Sequence, residues 1–323
     1  MNKQIIYLKE TSSYDDILKN NHSKMPLIFK KLIFLYKNIF NIITKKKTQD
    51  KEIWVLPVKE EYCESKLKEL FKKVSLENIY LISNELKEKQ AYKIMDEQKQ
   101  EYITEEKIKK ILLVHILEHI TNLQKKELSD LDLTILVNNK TNLNMYLMEE
   151  LARQIKTLKI VSLNIYKFKK LEEELYEEEG IAIQFSNSYK KSLEKSKIII
   201  NLDFTELEIN EYEIFDKAII VNCISDNIKI KSRLFNGIVV NSCDIEFNKQ
   251  IINEFKELKI YENYTRLMIY ASLIQNQENI LRIYEKLIAD NIEIIDLMGN
   301  SGIINKKEFK NIDKMLDKNK KTE

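Results

Sequence analysis

Glycine and proline are scarce: the chain has four glycines and two prolines in 323 residues, where average usage would give roughly 20 glycines. Tight loops that wrap a phosphate need residues without a Cβ, so glycine-rich nucleotide cradles are nearly excluded before any motif is sought. Cysteine is sparse as well. Cys63, Cys223 and Cys243 are an odd number without C-x-x-C spacing, which points to free thiols and a reducing compartment. Excess charge of one sign is missing too, since 53 basic and 51 acidic side chains nearly cancel. With no large field to attract a polyanion, nucleic acid is disfavoured as a partner. The apolar run Ile5 to Leu8 near the start is too short for a signal-peptide core or a membrane span, so we read the chain as cytoplasmic. No P-loop, G-x-S-x-G elbow, EF-hand loop or zinc-knuckle spacing occurs.

What is present is a hydrophobic content of 44%, enough for more than one core. From Asp132 to Phe247, short apolar runs repeatedly end in asparagine: Ile135 to Asn138, Ile198 to Asn201, Ile219 to Asn222 and Ile238 to Asn241. Two more runs, Lys159 to Leu163 and Ile181 to Phe185, lie among helical patterns at Leu143 to Ile155, Phe168 to Glu178 (closed by Gly180) and Tyr189 to Lys195. This rhythm predicts an α/β fold with a doubly wound, mostly parallel sheet. Ahead of it, strands at Ile5 to Leu8, Glu52 to Val58 and Asn78 to Ser83, with a helix at Glu61 to Val74, predict a smaller α/β domain. A helix from Thr104 to Leu123, apolar on several sides, would join the two. Behind it come helices at 249–258, 261–275 and 278–289, a strand at Ile292 to Leu297, the turn Gly299 to Gly302 and a charged tail from Lys306 that frays. The predicted domains are 1–125, 130–247 and, as C-terminal helices packing back on the first, 248–323.

The turn after the first strand of the doubly wound domain is where a dinucleotide fold places G-x-G-x-x-G. Here it reads Asn138-Asn-Lys-Thr141-Asn142-Leu-Asn144, without glycine, and the second strand ends Ser162-Leu-Asn-Ile-Tyr166 where an acidic residue would meet a ribose. The strand and helix order over 130–275 resembles the NAD(P)-binding Rossmann superfamily, particularly enzymes laid out like shikimate dehydrogenase and glutamyl-tRNA reductase. That resemblance implies NAD(P) as cofactor, which the missing fingerprint does not support. Asn138, Thr141, Asn144, Asn201, Asn222 and Asn241 are the candidate cofactor-binding residues, with Asp203 and Ser225 beside them at the carboxyl edge, able to line a cleft for a small polar ligand. Asparagine also simply terminates strands well. Cys223 and Cys243, with no histidine in the domain to activate them, read as buried small residues.

His115-Ile-Leu-Glu118-His119 matches the H-x-x-E-H pattern of inverted zinc proteases, but no third ligand follows at a recognisable spacing, so no metal is assigned. The run Pro26 to Ile43 is an amphipathic helix broken by Lys30, Lys31 and Lys37 and followed by Lys45 to Lys47. Such a helix can cover a sheet edge, bind a partner protein or lie on an anionic membrane surface. The sequence therefore reads as a non-enzymatic binding, regulatory or scaffold protein with a degenerate Rossmann-like domain. Its two alternatives are an atypical NAD(P)-dependent oxidoreductase, with catalytic residues in the N-terminal domain, and a peripheral membrane protein attached through residues 26–43.

Overall fold

Alternating apolar runs and turn signals become strands and helices in a computed structural model of the chain, which describes residues 5–11, 26–39, 44–47, 51–57, 79–82, 104–247, 266, 267, 270 and 280–312. The described residues fall into two compact units, one holding those up to 104 with 266, 267 and 270, the other holding 105–247 and 280–312.

The first unit contains β1 (Ile5–Thr11), α1 (Leu27–Ile39), β2 (Thr44–Lys47), β3 (Lys51–Pro57) and β4 (Ile79–Ile82). They give a four-stranded sheet of order β2-β3-β1-β4, in which β1 is parallel to both β3 and β4 while β2 pairs antiparallel at the edge. Among the described strands, the basic run Lys45 to Lys47 lies at the edge of this sheet. The helix expected at Glu61 to Val74, the helix expected at 249–258, most of that at 261–275, and Cys63 lie outside the described residues.

The second unit opens with α2 (Glu105–Ile111) and α3 (Leu113–Gln124). Periodicity predicts one helix here, but Leu112, at φ −79° and ψ 1°, interrupts it. Residues 105–124, which the sequence places with the N-terminal domain, belong to this unit. Then follow β5 (Asp132–Leu136), α4 (Asn142–Gln154), β6 (Thr157–Val161), α5 (Lys169–Glu179), β7 (Ile183–Ser186), β8 (Ile198–Asn201), the single turn α6 (Glu206–Ile209), β9 (Ile219–Asn222) and β10 (Ile238–Val240). Six strands pair in the order β7-β6-β5-β8-β9-β10, every pair parallel. Counted from β5 as the first, that order is 3-2-1-4-5-6, with the reversal between β5 and β8.

The strands are nearly continuous apolar runs because both faces are covered. Leu136, Val161, Ile199 and Ile220 pack with Leu193, Phe204, Ile209 and Ile228 on one face. Ile135, Ile160 and Ile200 alternate to the other and are equally buried. Thr141 starts α4 by accepting the Asn144 N–H at 3.1 Å, and Gly180, at φ 71°, closes α5 in the left-handed conformation that favours glycine. The helix expected at Tyr189 to Lys195 is instead a string of turns, because serines offer the backbone rival partners. The Lys191 N–H donates to Ser188 Oγ at 3.3 Å, and the Ser186 and Ser192 hydroxyls bond at 2.6 Å.

After β10 the chain enters β11 (Ser242–Glu246), which pairs antiparallel with β12 (Glu293–Gly299), itself preceded by α7 (Ile280–Ala289) and joined to β13 (Gly302–Ile303). Residues 306–312 are helical with Phe309 and Ile312 buried, where the charge pattern alone suggests a fraying tail.

Candidate functional site

In a doubly wound sheet the ligand edge is the carboxyl edge, and three of the candidate asparagines meet there. Asn201 is paired with Asn222 in the sheet register, and the alignment of Val240 with Val221 sets Asn241 next in line. Neighbouring strands lie about 4.8 Å apart, so in-register amides can bond to one another. Asn201 Nδ2 donates to Asn222 Oδ1, Asn222 Nδ2 to Asn241 Oδ1, and Asn241 Nδ2 to Asn300 Oδ1, each at 3.0 Å. The remaining groups are engaged as well. Asn201 Nδ2 donates to the Phe204 carbonyl and Asn222 Nδ2 to that of Asp226, while the N–H of Ile228 donates to Asn241 Oδ1. All three strand asparagines are buried, and their amides are satisfied within the chain.

Asn138 stands two residues beyond Leu136, which is the residue in register with Asn201, and it joins a different network. Its main-chain N–H donates to Asp203 Oδ1 at 2.6 Å, and that of Asn139 donates to Asp203 Oδ2 at 2.7 Å. Asn144 Nδ2 reaches the same carboxylate at 3.4 Å and the Asn139 carbonyl at 2.9 Å. Asn144 is buried, and its Oδ1 has no hydrogen-bond partner among the described residues. The Asn138 side chain accepts the Leu163 N–H at 2.9 Å, and its carbonyl accepts Lys167 Nζ at 3.0 Å. Burial raises the Asp203 pKa, partly offset by the N–H groups of Asn138 and Asn139 and by the positive charge of Lys110.

A third element, α2, lies over the carboxyl ends of β9 and β10. Buried Lys109 donates to the carbonyl of Asn241 at 3.1 Å and to that of Ile224, and Ser242 Oγ donates to Glu105 Oε1 at 3.2 Å. Helix α2 is thus tied by Lys109 and Glu105 to the segments that follow β9 and β10.

The 3-2-1-4-5-6 order, with its reversal at β5 and β8, is the deciding feature. The six-stranded unit is a Rossmann-like domain. No family model matches the chain, and neither does any curated protein. Among solved structures it is similar to L-tryptophan dehydrogenase from Nostoc punctiforme, at 13% identity over 99% of this chain and 90% of that one, with a TM-score of 0.32. It is also similar to shikimate dehydrogenase from Aquifex aeolicus, at 13% identity over 84% and 97% respectively, with a TM-score of 0.33. At such identity and overlap the assignment rests on the strand order. Within the Rossmann-like domain, Asp203 stands against the turn that follows β5, on the N–H groups of Asn138 and Asn139.

Past the carboxyl end of β6 and beside the outer strand β7, a cavity of about 350 Å³ is lined by Ile165, Tyr166, Lys169, Glu172 and Phe185. His115, Glu118 and His119 share α3, but no three metal-ligating side chains converge among the described residues. Glu118 is exposed, His115 Nδ1 is buried without a described partner, and burial, aided by Lys306, lowers the His119 pKa. Cys223 and Cys243 are fully buried free thiols, and burial pushes their pKa values up to about 11 and about 12.

Sequence reasoning singled out the row of asparagines and the turn. It placed Asp203 only as a neighbour and missed Lys109 and Asn300. The available signal was an acidic residue two positions past the β8 asparagine, facing a turn that has no glycine.

Proposed function

We propose that the Rossmann-like unit is a non-catalytic binding or scaffold module whose dinucleotide edge is occupied by its own side chains. The observation that carries this is the Asp203 carboxylate on the N–H groups of Asn138 and Asn139, at 2.6 and 2.7 Å. A pyrophosphate would need those same donors, and it would have to displace an anion already held at short range. The second strand adds no acidic residue for a ribose, and the asparagine row has no spare donors to recruit. Binding of a small polar ligand or a protein partner then falls to surfaces other than the β5 turn and the asparagine row, the cavity lined by Tyr166 and Phe185 being one.

Calorimetric titration of the full chain with NAD, NADP and their reduced forms tests the reading. No saturable heat is expected. Micromolar binding accompanied by turnover of a hydroxy acid or keto acid would overturn it and establish the rival, an atypical NAD(P)-dependent oxidoreductase.

A further inference from the structure

The cavity beside β7 brings together a carboxylate, an ammonium and two aromatic rings. The connection from β6 to α5 builds most of it. Ile165 and Tyr166 lie in the tight helical turn 165–168, Lys169 and Glu172 in the first turn of α5, and Phe185 comes from β7. At about 350 Å³ the volume sits at the lower end of the roughly 300–1,000 Å³ usual for small-molecule sites. Tyr166 is 82% exposed, which by itself is ordinary for a surface aromatic. Its place beside a second ring and an acidic side chain is what calls for an explanation.

The charges around the cavity select its ligand. All three lysines between residues 165 and 172 are engaged: Lys167 donates to the Asn138 carbonyl at 3.0 Å, Lys169 pairs with Glu173 at 3.7 Å, and Lys170 pairs with Glu174 at 2.7 Å. Glu172 is not. It is half-buried, lines the cavity, and has neither an ion pair nor a hydrogen bond among the described residues. A carboxylate in that position favours a cation, and the negative face of an aromatic ring attracts one as well. An anionic ligand would instead meet like charge at Glu172. Lys169 opposes a cation from the rim, so the two charged side chains that line the cavity act on a ligand with opposite signs.

We propose that this cavity binds a small organic cation, an ammonium group on an apolar body, with Glu172 as its counter-ion and the rings of Tyr166 and Phe185 as its aromatic walls. The inference rests on the reading that ligand binding falls outside the β5 turn and the asparagine row, and it names the class of ligand. An exposed ion pair and exposed cation–π contacts each contribute modestly, so the affinity is expected between high micromolar and millimolar.

Calorimetric titration of the full chain with benzyltrimethylammonium, beside benzoate as an anion and benzyl alcohol as a neutral compound, is the test. Saturable binding of the cation is expected, tighter than that of either control and weaker at high salt. Glu172→Gln should weaken it about threefold or more. Tyr166→Leu, which keeps apolar bulk but removes the ring, should also weaken it about threefold or more. Lys169→Gln should tighten it, because a like charge leaves the rim. None of the three residues belongs to a core, so the far-ultraviolet circular dichroism should not change. Three results would overturn the proposal: no saturable binding of the cation below about 10 mM, unchanged affinity in Glu172→Gln, or tighter binding of benzoate that Lys169→Gln weakens, which would assign the cavity to an anion. Titrations with NAD and NADP in parallel separate the two readings. Dinucleotide binding with turnover, while the cation still binds as before, removes only the occupied edge; absent cation binding without dinucleotide heat removes only the cation site.

Discussion

Asp203 is subject to two opposing effects. Burial disfavours its charge, and the N–H groups of Asn138 and Asn139 favour it; burial is the larger, so the folded pKa lies above the ordinary carboxylate value. A raised carboxyl pKa means that the folded state holds the proton more tightly than the unfolded one. Stability from this group is therefore fully present below the unfolded pKa and declines as pH rises through the folded pKa. Asp203→Ala removes that slope and leaves two main-chain donors without their acceptor, at a cost of about 1–3 kcal/mol at neutral pH. Denaturant unfolding of both proteins across the acid range should show the wild type ahead throughout, with the gap narrowing as pH rises through the window above the usual carboxylate value. A gap that widens instead would mean that the hydrogen bonds outweigh burial. The row of asparagines was legible as residues but not as a network. Spacing along the chain cannot show that Asn201, Asn222 and Asn241 share a register while Asn138 stands two residues farther on.

At the scale of elements, glycines mark where the backbone has no alternative. Gly237 leads into β10, and a Cβ built there would sit 2.1 Å from the Ala218 carbonyl oxygen, whereas a Cβ at Gly180 meets nothing within 4 Å. Gly180→Ala should therefore cost only the left-handed conformation, about 1–2 kcal/mol. Gly237→Ala must push β10 away from β9 or shift the Ala218 main chain, and about 3 kcal/mol or more is expected. Thermal unfolding of the two variants should rank them in that order, and equal losses would remove the steric account. The elements that sequence periodicity recovered are those whose burial repeats regularly, such as α4, α5 and the six parallel strands. It failed where one residue decides the outcome. Leu112 changes backbone conformation without altering the apolar pattern, serine hydroxyls replace helical bonds around residue 191, and two buried residues, Phe309 and Ile312, anchor an otherwise charged helix.

Across the whole molecule, the Rossmann-like unit is not closed by the segment that builds its parallel sheet. β12, which follows the parallel strands by more than fifty residues, supplies the Met298 carbonyl that accepts the Asn241 N–H at 2.8 Å, and Asn300 completes the amide row at 3.0 Å. Cys243 lies on β11 opposite Leu297 of β12, fully buried, and Cys223 is buried just past the end of β9. In the full chain both thiols are shielded and hold their protons, so alkylation by a maleimide at neutral pH should leave them largely unmodified. Ending the chain at Asn279 removes β12 and α7, strips β11 of its only described strand partner and exposes Cys243 together with the last rung of the amide row. Site-resolved mass spectrometry after a timed pulse should then find Cys243 labelled many times faster than in the full chain, with Cys223, one strand deeper, following more slowly. Equal protection of Cys243 in both proteins would show that the parallel sheet holds its carboxyl edge without the returning strand.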